Sequence, residues 1–178
     1  MQARGPLMIE HRLIERMIGQ IDRMLSRIKA DKRVDPYRID TAVDFIRIYA
    51  DRTHHGKEED ILFRKLAEKG LSATDQVLME ELIEDHVHGR KITGALVDAN
   101  NRYRQGEENA LQEITAKLQE LVDFYPKHIE KEDKIFFPAS RRYFTEKEDQ
   151  AILQEFWSFD REMIHHKYRA VVDELEQR

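Results

Sequence analysis

Apolar residues recur three and four positions apart through most of the chain, the period of a helix that buries one face. Ile14, Ile18, Ile21, Leu25 and Ile28 form one such stripe and predict a first helix over about Met8–Lys29. Asp35-Pro36 then offers a capping carboxylate followed by proline at a first helical position. The second helix opens there and runs to about Lys69, where Gly70 stops it. A third is expected from roughly Thr74 to Arg104, ending near Gly106. The fourth starts around Glu107 and carries Leu111, Ile114, Leu118, Leu121 and Tyr125 on one stripe, with Pro138 as its end. Pro126 removes a backbone donor inside that stretch, so an irregularity is expected just before His128. Thr145-Glu146-Lys147-Glu148 has the pattern of a capping box and predicts a fifth helix over about 145–176.

Five helices joined by short links imply an all-α fold: an up-and-down antiparallel four-helix bundle over about residues 8–138, with an additional C-terminal helix. A chain of 178 residues fits one domain spanning 1–178. Charged residues make up 37% of it, yet the net charge is only −5, and blocks such as Lys57-Glu58-Glu59-Asp60 mix both signs. That balance argues against a nucleic-acid partner and against an acidic tail. No apolar run is long enough to cross a bilayer, and Met1–Leu7 lacks the apolar stretch of a secretory signal. The absence of cysteine excludes disulfides, thiolate metal sites and cysteine nucleophiles together. A cytoplasmic protein is the expectation; the oligomeric state is not legible.

The two halves of the chain repeat a chemical pattern. His55-Gly56-Lys57-Glu58-Glu59-Asp60-Ile61-Leu62-Phe63 falls on the second helix and His128-Ile129-Glu130-Lys131-Glu132-Asp133-Lys134-Ile135-Phe136 on the fourth. Each reads His, three residues, Glu, Asp, and then, one residue on, an apolar pair ending in Phe. Glu10-His11 on the first helix and Asp85-His86 on the third form a looser second pair. Residues i and i+4 of an α-helix share a face. His128 and Glu132 continue the apolar stripe of the fourth helix; His11, His86 and the pair His55/Glu59 fall on the stripes of the other three. Six metal-capable side chains, His11, His55, Glu59, His86, His128 and Glu132, are thus predicted to point inward from four helices.

A carboxylate in an apolar core is destabilising unless it is paired or coordinates a metal. Two of them facing four imidazoles suit a pair of divalent or trivalent cations. Any one of these histidines alone is more commonly a core residue bonded to a carbonyl; six obeying one pattern on four stripes are not explained that way. His54 makes an i,i+4 pair with Glu58, but neighbouring α-helical residues point about 100° apart. His54 is therefore assigned to the surface or to a supporting position, and Glu58, Glu130 and Lys131 to the solvated face. His88 is left outside the site, His165-His166 on the fifth helix are candidates for a supporting contact or an extra ligand, and Phe45, Tyr49, Tyr125 and Trp157 are taken as core aromatics.

These residues resemble the hemerythrin-like family, also called the HHE cation-binding domain, over roughly Ile9–Pro138. The matching text is a lone His on the first and third helices, His-x-x-x-Glu on the second and fourth, and His54-His55-Gly56-Lys57-Glu58-Glu59 and Phe136-Phe137-Pro138 around them. The resemblance implies two iron ions, with other divalent metals possible. His11, His55, His86 and His128 would be terminal ligands, and Glu59 and Glu132 would bridge the irons beside an oxo, hydroxo or water ligand. The oxygen carriers of the family place two histidines four apart on the third helix, whereas Leu82 and Arg90 flank His86 here. Four histidines would divide two per iron, which fits handling of oxygen, nitric oxide or peroxide better than reversible oxygen carriage. An iron donor or sensor, and a peroxidase-like or nitric-oxide-reducing enzyme, remain alternatives. The ferritin-like pattern Glu-x-x-His has the opposite order and a different spacing.

Overall fold

The computed structural model describes residues 2–176 and contains helices, without strands among the described residues. The first helix is Arg4–Asp31; Lys32 ends it in the left-handed region at φ 56°. The second begins at Pro36, with Asp35 accepting from the Tyr37 amide at 3.0 Å, and runs through to Ala67. The third is Ala73–Arg104, capped by the Ser72 hydroxyl on the Asp75 amide. Gly70 and Gly106 have φ of +63° and +92°, conformations that glycine adopts at the least cost. The fourth helix is Ala110–Lys131, continuing as irregular turns through Tyr143. The fifth is Glu146–Glu176, opened by the predicted box: Thr145 Oγ1 accepts from the Glu148 amide, and the Glu148 carboxylate accepts from the Thr145 amide.

Two proline expectations are corrected. Pro126 sits inside Ala110–Lys131 without breaking it. The irregularity comes after His128, as a π-helical turn over Glu132–Phe136. Pro138 likewise does not end the fourth helix; it occupies the first turn of Phe137–Ser140, where a missing donor costs nothing.

The fourth helix packs between the first and third, and the second lies against the third. Two apolar cores fill the bundle. One holds Ile18, Leu25, Ile46, Leu96, Leu118 and Leu121, and the other Leu7, Phe63, Leu66, Leu82, Phe136 and Phe156. On each of the four bundle helices the histidines and carboxylates fall between the two cores, forming one polar layer. The fifth helix closes the second core with Ile152 and Phe156.

Candidate metal centre

The second helix departs from α geometry where it meets this layer. Ile46–His55 and Glu58–Phe63 are π-helical, with only Gly56 and Lys57 between them in α form. The Gly56 amide reaches back five residues to Asp51 O. A wider turn rotates less per residue than an α turn, so two adjacent side chains can share a face, and such turns recur at functional sites.

That changes which residues face inward. His54 and His55 are both buried, at 1% and 2% exposure, and Glu58 is completely buried. The 100° argument that put His54 and Glu58 on the outside assumed an unbroken α-helix, and the structure corrects it. Glu59 is half-buried and turned away from the layer's centre, where it accepts from His86 Nδ1 at 2.7 Å and from Arg90 at 2.6 Å. The other five predicted residues, His11, His55, His86, His128 and Glu132, do converge. All seven converging side chains are at most 2% exposed.

They form two groups, each with donor atoms within 4.8 Å of one another: His11, His54, Glu58 and Glu132, and His55, His86 and His128. The carboxylates span both. Glu58 Oε1 lies 3.7 Å from His54 Nε2 while its Oε2 lies 3.4 Å from His86 Nε2. Glu132 Oε2 is 3.1 Å from His11 Nε2 and 3.4 Å from His128 Nε2, and its Oε1 is 3.7 Å from His86 Nε2. Nε2 of His11, His54, His86 and His128, and both oxygens of Glu58 and Glu132, are buried without a hydrogen-bond partner. Buried polar atoms of this kind are normally satisfied, and each left bare costs about 1–3 kcal/mol. Eight converging lone-pair donors with nothing to accept fit a pair of cations.

The outer nitrogens are all engaged. His54 Nδ1 contacts Glu10 at 2.9 Å, His86 Nδ1 Glu59 at 2.7 Å, His128 Nδ1 Asp85 at 3.3 Å, and His11 Nδ1 Asp133 at 2.7 Å. Each acid comes from the preceding helix of the four, so the contacts close a ring around the bundle: first to second, second to third, third to fourth, fourth to first. His55 stands outside the ring and contacts Asp51, one turn earlier on its own helix, at 3.4 Å. Carboxylates on the outer nitrogen fix the tautomer and leave Nε2 bare for a metal.

The ring also corrects the repeat. His54, Glu58 and Glu59 play the parts of His128, Glu132 and Asp133, one residue earlier than the alignment from His55. His54 to Phe63 is one residue longer than His128 to Phe136, and the π-helical turns absorb it. Nothing in α periodicity could have revealed this; the adjacent histidines with an acid four after each were the available signal.

Charge is unevenly distributed over the metal-free layer. Burial, then the charge of Glu132, pushes the Glu58 carboxyl far above its ordinary range. Glu132 is held far below its own despite burial, by His128, His11 and His86. Burial disfavours charge on His11, but Asp133 and Glu132 outweigh it and lift the ring to about 9. Burial and the neighbouring His86 lower His55 to about 3. Two close carboxylates cannot both ionise cheaply, so the metal-free site holds protons where metal would sit.

The weighed-down residues are now placed. His88 is exposed against Phe124, and His165 is exposed; the His166 side chain lies outside the described residues. Phe45 and Tyr49 stack on each other in the first core, whereas Trp157 is 43% exposed. Tyr125 is buried and lines a cavity of about 350 Å³ with Ile46, Asp51, His55, Arg90 and Thr93, which touches the layer from behind His55.

No helix among the described residues is long and apolar enough to cross a membrane. No solved structure matches the chain significantly. Similar curated proteins are the uncharacterized proteins Rv1995 of Mycobacterium tuberculosis and Mb2018 of Mycobacterium bovis, each 23% identical over 150 residues, which is 84% of this chain. The chain spans 58% of the length of these relatives. The family model described as the hemerythrin HHE cation-binding domain matches residues 6–140. That match covers most of the chain, and the chain belongs to this family of cation-binding domains.

Proposed function

We propose that the polar layer holds two metal ions, iron by the implication of the family, as a centre that binds or reacts with oxygen, nitric oxide or a peroxide. His11 and His54 would hold one ion and His55, His86 and His128 the other, with Glu58 and Glu132 reaching both. The observation that carries the reading is the eight buried donor atoms without partners, facing each other inside a ring that occupies the outer nitrogens of His11, His54, His86 and His128. Five histidines split three and two replace the even division expected from four. The argument against reversible oxygen carriage therefore loses its basis.

Iron bound there would supply exchangeable coordination positions and electrons for a small diatomic molecule or a peroxide. The chain's own contribution is orientation and exclusion of water. The ring acids hold four imidazoles with Nε2 inward, and Asp51 holds the fifth. Phe137 stacks on His11 at 5.7 Å, Phe63 on His86 at 6.0 Å and Phe124 on His128 at 5.4 Å, so aromatic faces and two apolar cores keep the layer dry. An iron donor would have to open the bundle, since every donor side chain is at most 2% exposed; burial favours a retained centre.

The test is to purify the chain aerobically without added metal, quantify its metals, and record the visible spectrum before and after reduction and exposure to oxygen. About two irons per chain, with a spectrum that changes on reduction and oxygen exposure, is expected. No bound metal and none on reconstitution would overturn the proposal. A stable, reversible oxygenated spectrum would single out carriage, and rapid oxidation would single out redox or nitric oxide chemistry.

A further inference from the structure

Each acid that holds a histidine is itself held by a cation. Asp133 pairs with Arg12, Asp51 and Glu59 both pair with Arg90, and Asp85 pairs with Lys131 at 2.9 Å. Arg12, Arg90 and Lys131 all reach solvent, at 56%, 39% and 27% side-chain exposure. Glu10 is different. Its cation is Lys57, whose side chain is completely buried.

Lys57 stands in the short α stretch between the two π-helical segments, directly before Glu58. It bonds Glu10, whose other oxygen contacts His54 Nδ1 at 2.9 Å. Its ammonium also lies 2.6 Å from Asp160 on the fifth helix and 5.9 Å from the Phe156 ring on the same helix. One residue earlier, a Cβ on Gly56 would sit 2.9 Å from Phe159 Cζ, so the Phe159 ring of the fifth helix reaches into the space that the missing side chain leaves at this turn. A continuous path, His54–Glu10–Lys57–Asp160, thus joins the inner layer to a helix that begins beyond residue 140, where the family match ends.

We infer that Lys57 is a positioning residue for the His11/His54 end of the centre, and that docking of the fifth helix through Asp160 is coupled to metal retention at that end. The inference rests on the two-metal reading above. A buried ammonium is tolerated only while its partners stay in place. Lys57 keeps Glu10 as the acid that orients His54, and Asp160 keeps Lys57 where it is. Coupling of this kind is reciprocal: metal at this end holds the fifth helix down, and release of the helix loosens that metal.

The experiment loads the full chain with ferrous iron and follows its removal by a chelator, for the wild type, Lys57→Met, Asp160→Asn and the double variant Glu10→Gln/Lys57→Met. Methionine keeps the unbranched stem and removes the charge. Loss of a residue supporting a metal ligand typically weakens binding roughly 10–100-fold. One of two irons should therefore leave Lys57→Met roughly 10–100-fold more readily, and the same iron Asp160→Asn to a smaller degree, while the other keeps wild-type behaviour. The double variant should recover part of the loss, because a neutral amide in place of the Glu10 carboxylate needs no ammonium. Hydrogen exchange across residues 153–164 should slow on iron loading.

Equal weakening of both irons in step with metal-free stability would mean that Lys57 only supports the fold, and would overturn the inference. Wild-type iron release from both single variants would also overturn it, leaving the two-metal reading intact. A wild-type chain that takes up no iron would overturn the two-metal reading and this inference with it. Should Lys57→Met fail to fold, Asp160→Asn decides alone, since its side chain is 38% exposed and its replacement is isosteric.

Discussion

Adjacent acids on the second helix are assigned opposite jobs, and exchanging each for its amide separates them. Glu58 offers one oxygen to each histidine group, at 3.7 and 3.4 Å from imidazole nitrogens. Structural zinc sites with four ligands are worth about 10–16 kcal/mol, or about 2.5–4 per donor, so two donors shared between two metals amount to about 5–8 kcal/mol. Glutamine keeps one oxygen and replaces the other with a nitrogen that cannot ligate. Glu58→Gln should therefore lose at least one metal. The metal-free variant should be no less stable than the wild type, because burial already keeps the Glu58 carboxyl protonated far above its ordinary range and glutamine mimics that form.

Glu59→Gln removes only the negative charge of the acceptor behind His86 and, with it, a partly exposed pair with Arg90. The exposed pair is worth about 0–1 kcal/mol. The lost support for His86 should weaken metal roughly 10–100-fold, equivalent to about 1.4–2.7 kcal/mol. At about 2–4 °C per kcal/mol for a chain of this size, the rise in Tm on metal loading should shrink by about 3–11 °C. In Glu58→Gln most of that rise should vanish. The assay is metal content together with thermal denaturation, with and without iron. Two metals in Glu58→Gln and an empty Glu59→Gln would refute the assignment and restore Glu59 as the inward acid.

The metal-free chain should lose stability as pH rises from 6.5 to 9. His11 has a folded value of about 9 against 6.5 unfolded, so its contribution is full below 6.5 and lost through 9; about 2.5 pH units at ~1.4 kcal/mol each is on the order of 3 kcal/mol. Asp51, Glu59 and Asp85 are shifted downward and contribute fully across that window. Denaturant titrations should show the fall without metal and little of it with metal, and a flat metal-free profile would contradict the His11 environment. Gly56→Ala drives a methyl to 2.9 Å from the Phe159 ring tip, and overpacking of this kind costs about 1–3 kcal/mol; an unchanged Tm would mean that the Phe159 ring is not held against this turn. Leu82→Ala in the second core, where Leu82 is fully buried, should cost about 2–5 kcal/mol and weaken both metals alike, in contrast to Lys57→Met.

Most of the fold was legible because the stripes obey the α period that was used to read them. Ile14 through Ile28, Leu111 through Tyr125, the Asp35 cap and the Thr145 box are local features, and local features survive the absence of tertiary information. The fourth helix stays α-helical through Lys131, so His128 and Glu132 were placed inward correctly from spacing alone. On the second helix the same arithmetic failed, and for a definite reason. Between Ile46 and Phe63 most residues follow π-helical turns, and an i,i+4 count started from the wrong histidine moves the acid outward by one position. The ring of supporting acids was illegible for another reason: each acid sits beside one inward residue in sequence and serves another on a different helix, as Glu10 follows Ile9, precedes His11, and contacts His54. The extra residue that spoils the repeat is also what admits a fifth histidine. A strict second copy of His128-x-x-x-Glu132 would give a symmetric layer of four imidazoles. Inserting one residue and widening the turn places His54 on one group and His55 on the other, making the two ends unequal. Among the described residues, only the end with fewer imidazoles is tied through a buried lysine to the fifth helix, so the asymmetry in donors and the asymmetry in support fall on the same side of the layer.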